Sequence, residues 1–195
     1  MTVLCLVRHG ETEWNVIGKL QGRENIELNK NGKQQAGKCG LYLREKPWDI
    51  IISSPLSRAK QTAEIINTFM LMPINIIEME NFIERDYGTA SGLTTEERTK
   101  MFPNRNYLNQ EPREVLNARI ITSLNIILKK YPESNVILVT HSAVINTILA
   151  IISNNEIGSG KTKLFTACIS SVYYHQEQWK ICEYNKIDHL RTNNH

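Results

Sequence analysis

Apolar and polar positions alternate along the chain in blocks that predict strands and helices in turn. The continuous apolar run at residues 3–7 is short and is followed at once by polar residues, which is typical of a buried strand. A β-branched run at residues 49–53 predicts a second buried strand. The complete set of predicted strands is 3–7, 49–53, 74–79, 136–140, 169–175 and 179–184. The last two are expected to pair as a hairpin at an edge of the sheet.

Helical spacing, capping residues and prolines predict the helices between these strands. Asn29 is the expected N-cap of one helix, and Pro47 follows its end. Ser54 with Pro55 predicts the start of the next helix, and Ser142 is the expected cap of the last one. The predicted helices are 29–46, 55–70, 94–101, 112–131 and 143–152.

Alternating strands and helices indicate the α/β class. We therefore expect a three-layer α/β/α architecture with a mostly parallel central sheet. The 195 residues are an ordinary length for one domain with a sizeable core, and the chain contains no internal repeat, low-complexity tract or linker. The prediction is a single domain over residues 1–195.

The composition is that of a soluble globular protein, and the net charge of +3 is too small to indicate nucleic-acid binding. The first apolar run is too short for a signal peptide, and no run is long enough to cross a bilayer. The four cysteines lack the CxxC spacing of redox or zinc sites. We therefore expect a cytoplasmic protein with free, mostly buried thiols and neither nucleic acid nor a membrane as a partner.

Three predicted strands end in residues suited to catalysis. Arg8 and His9 follow the first strand. Arg58 lies in the first turn of the helix after the second strand, and His141 follows the strand at 136–140. Ligand sites in open α/β sheets gather outside the carboxyl ends of the strands. If these strands are parallel neighbours, the four side chains share one rim.

Two arginines and two histidines suit a dianionic phosphoryl group, because guanidinium binds phosphate bidentately and imidazole acts as nucleophile or base near neutral pH. The strand ends carry no Walker-type loop and no carboxylate pair that would hold magnesium. Fixed guanidinium groups can support phosphoryl transfer by charge neutralisation alone. We therefore expect a small-molecule phosphate ester as the partner, with no metal and no cofactor.

A histidine nucleophile would form a phosphohistidine, and a carboxylic acid must then protonate the departing alkoxide. Glu84, in the polar segment after the third predicted strand, is the expected acid. Asp86 is the alternative two residues further on.

At this point the chain resembles the histidine phosphatase superfamily, in its phosphoglycerate mutase-like branch. The resemblance rests on segments in the same order along most of the chain, beginning with LVRHGET at residues 6–12. The other segments are residues 21–23, 53–63, 84–88 and 139–142. The resemblance implies His9 as the phosphorylated nucleophile and Glu84 as proton donor and later base. It implies a phosphate-binding set of Arg8, Arg58, His141, Asn15, Gln21, Gly22 and Ser142.

Three functions remain open. The first is a cofactor-independent phosphomonoesterase. The second is a phosphoglycerate mutase, which must exclude water and hold its phosphorylated intermediate. The resemblance implies that the family's mutases do this with a longer segment after the acid. The short segment between Gly92 and Pro112 therefore favours hydrolysis. The third is a non-catalytic phosphate-binding relative. Residues 89–92 and Asn146 depart from the family pattern where substrate selection is expected, so the substrate stays open, as does the choice between monomer and homodimer.

Other residues have structural interpretations. His175, His189 and His195 are expected to be structural or surface residues, as lone histidines usually are. Arg119, on the predicted helix after Pro112, is expected to be solvated or ion-paired.

Overall fold

A central sheet of six strands organises the chain, of which the computed structural model describes residues 1–191. The strands are β1 (Thr2–Arg8), β2 (Ile50–Ser53), β3 (Ile76–Glu78), β4 (Asn135–Thr140), β5 (Ile169–His175) and β6 (Gln178–Lys186). Their order is β3-β2-β4-β1-β5-β6. The first four pair in parallel, and β5 and β6 add two antiparallel pairs at one edge. The predicted mostly parallel sheet and its edge hairpin are confirmed.

Within residues 1–191, six α-helices connect the strands or follow them. They are α1 (Glu13–Val16), α2 (Lys30–Leu43), α3 (Ser57–Thr68), α4 (Thr95–Met101), α5 (Arg113–Lys130) and α6 (Ser142–Ile152). The one-turn helix α1 was not predicted, because a helix of four residues shows no apolar period. No helix within residues 1–191 is long and apolar enough to cross a membrane.

The helices cover both faces of the sheet, as the three-layer prediction requires. Alternate side chains of β1 point to opposite faces. Leu4 and Leu6 join the core beneath α5 and α6, whereas Cys5 and Val7 join the core beneath α2 and α3. Because both faces are buried, β1 and β4 read as continuous apolar runs.

Two predicted helix starts are wrong. Helix α3 begins at Ser57, not at Pro55, because the Ser54 hydroxyl is held in the loop by the His141 ring (2.7 Å to Nε2) and the Leu56 amide (3.3 Å). Helix α6 begins at Ser142, and its N-cap is His141 without a side-chain cap. Strand β4 therefore passes directly into α6. The predicted cap at Asn29 is confirmed, since its side chain accepts a hydrogen bond from the Gly32 amide.

A close approach of two backbones fixes the loop after β1. A Cβ on Gly10 would overlap the backbone of Gly32, and a Cβ on Gly32 would overlap the backbone of Glu11. The first turn of α2 thus lies directly against the loop that follows β1 and His9. Only glycine at both positions allows this packing.

The cysteines agree with the expectation for a chain without disulfides. Cys5, Cys39 and Cys168 are free and buried, and Cys182 is free and exposed on β6.

Candidate active site

The carboxyl ends of three adjacent strands bring the predicted residues together. Strand β4 lies between β1 and β2 and pairs in parallel with both. The His9 amide continues the β1–β4 ladder by donating to the Thr140 carbonyl (2.9 Å), and the Ser54 amide donates to the Val139 carbonyl (3.0 Å). The condition that the strands be parallel neighbours is therefore met, and the residues after them share one rim.

His9 is buried, with a tautomer set by its own loop. Its Nδ1 lies 2.7 Å from the Gly10 carbonyl, which can only accept, so Nδ1 carries the proton. Nε2 is left with its lone pair and has no hydrogen-bond partner among residues 1–191. Burial, reinforced by the charges of Arg58 and Arg8, lowers the pKa of His9 well below its usual value. The imidazole is therefore neutral and carries an available nucleophilic nitrogen.

Arg58 is a buried cation and Arg8 is a partly buried one, and both bond to carbonyl groups only. Arg8 donates to the Leu164 carbonyl (2.6 Å), and Arg58 donates to the carbonyls of Glu24 (2.7 Å) and Gly22 (2.8 Å). Within residues 1–191 neither side chain forms a salt bridge, and the Nε of each has no partner. Burial lowers the pKa of Arg58 to about 10.

His141 lies beside His9. The ring centroids are 5.2 Å apart, and the His141 side chain is completely buried. Its Nε2 contacts the Ser54 hydroxyl, and its Nδ1 has no partner. Burial, together with the charge of Arg58, lowers the pKa of His141 well below its usual value. We call Arg8, His9, Arg58 and His141 the basic cradle.

Glu84 reaches the same place from the loop after β3. Its side chain is nearly buried, and its two carboxyl oxygens accept from the amides of Arg85 (2.9 Å) and Ala143 (3.3 Å). Burial raises the pKa of Glu84, and the two amides, Arg58 and Arg8 offset only part of that rise. The alternative acid, Asp86, instead accepts from the Gly88 amide (2.7 Å) within its own turn. The geometry therefore favours Glu84 over Asp86.

The remaining predicted residues contribute to the walls of the site. Gln21 is buried with its Oε1 unpartnered, and Gly22 holds a positive φ of 52°. The Asn15 side chain accepts from the amide and the hydroxyl of Thr12, the N-cap of α1, so that its position is fixed by its own helix. These three residues and Ser142 line one cavity with Arg8, His9, Arg58 and Glu84. His141 lies behind His9 and is not among the residues that line this cavity.

The cavity measures about 760 Å³ and has further basic residues that the sequence reasoning missed. They come from loops and α4, where no motif marks them, and their positive charge was the only available signal. The missed cations are Lys19, Arg98, Arg105, Lys161 and Lys163. Glu84 is the only acidic residue that lines the cavity within the described part of the chain.

A buried ion pair supports the Glu84 loop from behind. Arg119 donates to both carboxyl oxygens of Glu111 (2.7 and 3.0 Å), and its guanidinium also contacts the carbonyls of Asn81 and Glu84. Arg23 lies 3.5 Å from the same Glu111 carboxylate. We call Glu111 and Arg119 the brace. The interpretation of Arg119 as an ion-paired residue is confirmed.

The other histidines lie away from the site. His175 is exposed on β5, and His189 contacts Cys39 and the Ala167 carbonyl. His195 lies outside the described residues. No cluster of His, Cys, Asp and Glu side chains in residues 1–191 has the arrangement of a metal site.

Comparison with known proteins gives the arrangement a context. The family model described as histidine phosphatase superfamily (branch 1) matches residues 4–187. The uncharacterized phosphatase PhoE of Bacillus subtilis is 45% identical over 190 residues, which are 97% of each chain. The metal-independent phosphoserine phosphatase of Arabidopsis thaliana is 32% identical over an alignment of 205 positions, which covers 98% of this chain and 84% of that protein.

Solved structures show the same fold. A phosphoserine phosphatase mutant from Entamoeba histolytica, in complex with phosphoserine, matches with a TM-score of 0.85 at 29% identity, over 98% of this chain and 100% of that one. Bacillus stearothermophilus YhfR matches with a TM-score of 0.90 at 24% identity, over 98% of this chain and 100% of that one.

Proposed function

This chain belongs to the histidine phosphatase superfamily, and we propose that it is a cofactor-independent phosphomonoesterase that forms a phosphohistidine at His9. One observation carries the proposal. Two guanidinium groups without carboxylate partners, the buried Arg58 and the partly buried Arg8, stand beside a neutral imidazole whose Nε2 is free. A dianionic phosphoryl group would supply the negative charge that this cluster lacks.

In the proposed first step, His9 Nε2 attacks the phosphorus of the ester. The N–P bond forms as the bond from phosphorus to the alcohol oxygen breaks, and Glu84 gives its proton to that oxygen. The raised pKa of Glu84 supports this role, because the carboxyl keeps its proton closer to neutral pH than an exposed glutamate does. Arg8 and Arg58 stabilise the charge on the phosphoryl oxygens.

In the second step, water replaces the alcohol. The Glu84 carboxylate takes a proton from the water as its oxygen attacks the phosphorus, and the N–P bond electrons return to His9. Inorganic phosphate leaves, and Glu84 is again protonated. Both steps use the same carboxyl group, so one residue serves first as acid and then as base.

Phosphoserine is the first ester to test, since the Arabidopsis relative and the Entamoeba structure are named for it. Incubation with phosphoserine labelled in its phosphate, followed by rapid denaturation, should trap label on His9 as an acid-labile, base-stable adduct. Label on another residue, or turnover without any labelled protein at single-turnover times, would contradict the mechanism. Incubation with 3-phosphoglycerate separates hydrolysis, which releases phosphate, from the mutase reaction, which forms the isomer.

The acid role of Glu84 has its own test. We expect Glu84→Gln to lower kcat/KM on phosphoserine by about 10²–10⁴-fold, the usual contribution of a general acid. The loss should be much smaller on p-nitrophenyl phosphate, because nitrophenolate departs without a proton. Asp86→Asn is the matched control and should change neither substrate's rate strongly. Equal losses on both esters in Glu84→Gln would mean that Glu84 does not act as the acid.

A further inference from the structure

The carbonyl group that holds Arg8 lies in the segment between α6 and β5. Within residues 1–191 the only hydrogen-bond partner of the Arg8 side chain is the Leu164 carbonyl, at 2.6 Å from Nη1. Residues 160–164 also line the candidate active-site cavity. A shift of the Leu164 carbonyl would therefore move the guanidinium group, because no other described hydrogen bond fixes it.

Asn185, on β6, holds this segment on both sides of Leu164. Its Nδ2 donates to the Lys163 carbonyl (3.0 Å), and its Oδ1 accepts from the Phe165 amide (2.9 Å). One partner can only accept and the other can only donate, so a single orientation of the Asn185 side-chain amide satisfies both. Two hydrogen bonds from one rigid group fix the direction of the Leu164 carbonyl as well as its position.

A β-bulge turns Asn185 toward this segment. Between Glu183 and Lys186, β6 has one residue more than the facing part of β5. Asn185 has a φ of 56°, in the left-handed region that asparagine adopts more readily than most residues. Its own amide donates to the buried Ser170 hydroxyl (3.0 Å), so this group stays satisfied where the bulge interrupts the ladder. Bulges commonly redirect a side chain in this way.

Arg58, the other cation of the basic cradle, is held by a different part of the chain. Its guanidinium donates to the carbonyls of Gly22 and Glu24, in the loop after α1. Asn185 makes no hydrogen bond to that loop in the described part of the chain. The two guanidinium groups therefore have separate supports, and a change at Asn185 should affect Arg8 alone.

We propose that Asn185 is a positioning residue for Arg8. It fixes the Leu164 carbonyl from behind, and so determines where the Arg8 guanidinium meets the phosphoryl group. The proposal rests on the proposed phosphomonoesterase function and adds to it a residue of β6 that does not line the cavity. Preorganised donors stabilise developing charge without reorganisation, and a small displacement loses much of that effect.

A glycine substitution tests the side chain of Asn185 alone, because glycine adopts a φ of 56° without strain. We expect Asn185→Gly to lower kcat/KM on p-nitrophenyl phosphate about tenfold, the cost of a slightly displaced group. The Kd of inorganic phosphate, measured by isothermal titration calorimetry, should rise several-fold. Asn154→Gly is the matched control and should change neither quantity. Asn154 is exposed, has a φ of 52°, and its side chain has no hydrogen bond to a described residue.

A double-mutant cycle separates positioning from a structural role. In the Arg8→Gln background, where the guanidinium is absent, Asn185→Gly should change kcat/KM and the phosphate Kd by less than about twofold. In the Arg58→Gln background it should keep most of its effect, because Arg58 has its own support. The loss of stability in urea should be the same in all three backgrounds, since it depends on the Asn185 hydrogen bonds themselves.

Two kinetic results would overturn the proposal. The first is a loss of kcat/KM that is equal in the wild-type and Arg8→Gln backgrounds, or absent from both. The second is a loss that disappears in the Arg58→Gln background as well, because Asn185 would then support the site as a whole. A wild-type protein that hydrolyses no phosphate ester would contradict the proposed function, while the phosphate-binding cycle would still decide the role of Asn185.

A second variant covers the case in which Asn185→Gly does not fold. Asn185→Asp also adopts the left-handed φ and keeps an acceptor for the Phe165 amide, but it loses the donor to the Lys163 carbonyl. We expect a smaller loss of kcat/KM that again disappears in the Arg8→Gln background. Asn154→Asp controls for the added charge. A loss that persists without the Arg8 guanidinium would overturn the proposal here too.

Discussion

The basic cradle and the brace both contain poorly exposed guanidinium groups. Only in the brace does a carboxylate of the protein neutralise their charge. In the brace, Arg119 has a carboxylate partner, Glu111, that accepts from it twice, and the pair is complete without a ligand. In the cradle, Arg8 and Arg58 bond only to carbonyls, and the Nε of each is unpartnered. A buried ion pair with its partner satisfied is a structural element, whereas buried cations without one are arranged for an anion that comes from outside.

The largest expected effect is the loss of the nucleophile from the cradle. His9→Ala should lower kcat/KM by at least about 10³-fold, because it removes the group on which the proposed reaction proceeds. His175→Ala, an exposed histidine on β5, is the matched control and should retain full activity. Near-normal activity of His9→Ala on phosphoserine would remove the cradle from the mechanism.

The next effect separates activity from stability in the cradle. Arg58→Gln should lower kcat/KM by about 10²-fold through the loss of charge stabilisation on the phosphoryl group. Its free energy of unfolding should stay the same or rise, since the substitution removes a buried cation that has no counter-charge. Steady-state kinetics and urea unfolding measure the two quantities. Destabilisation comparable to the loss of a buried ion pair would show that Arg58 is a structural residue.

A substitution in the brace should lower stability more than activity, the reverse of what we expect for Arg58→Gln. Arg119→Gln leaves the buried Glu111 carboxylate with only the longer contacts to Arg23 (3.5 Å) and the Asp86 amide (3.3 Å), which we expect to lower the free energy of unfolding by about 2 kcal/mol. The loss of activity should be smaller than in Arg58→Gln once the folded fraction is taken into account. Arg44→Gln, at an exposed arginine that ends α2, serves as the surface control in the same urea titrations. An unchanged unfolding midpoint for Arg119→Gln would contradict the distinction between the two regions.

A pH effect of smaller size follows from the neutral histidines. Burial lowers the pKa of His9, so below its usual value of 6.5 the unfolded state binds a proton that the folded state does not. Stability should therefore fall as the pH decreases from 7, by up to about 2 kcal/mol at pH 5 for this one group. His9→Gln should unfold with a flatter dependence on pH over this range. Equal slopes for the two proteins would mean that His9 becomes protonated in the folded state.

The titration of Glu84 has the opposite effect on the pH dependence of stability. Its raised pKa means that the folded state holds a proton that the unfolded state has lost, so its contribution to stability falls as the pH rises through that interval. The candidate active site thus contains two groups, His9 and Glu84, whose titrations have opposite effects on stability, and a flat pH profile in the wild type alone would not exclude either one.

Most of the fold and the cradle could be predicted from the sequence, because short-range patterns determine them. Apolar runs set β1 and β4, and the residues directly after them, His9 and His141, are placed by chain continuity once the strands lie side by side. The start of α3 could not be predicted in this way, since Ser54 bonds to His141, a residue far along the chain.

The sequence by itself determined the strands, the arginine and histidine residues that follow them and the resemblance to a family, since each of these depends on neighbours along the chain. The tertiary structure added a geometric reason for the preference of Glu84 over Asp86, because the Ala143 amide that bonds to the Glu84 carboxyl comes from another element. It also gave Arg119 its partner and brought Arg98 and Arg105 to the wall of the candidate active-site cavity. These properties depend on contacts between residues that are distant in the sequence. A local sequence pattern therefore does not show which charged side chains line the same cavity.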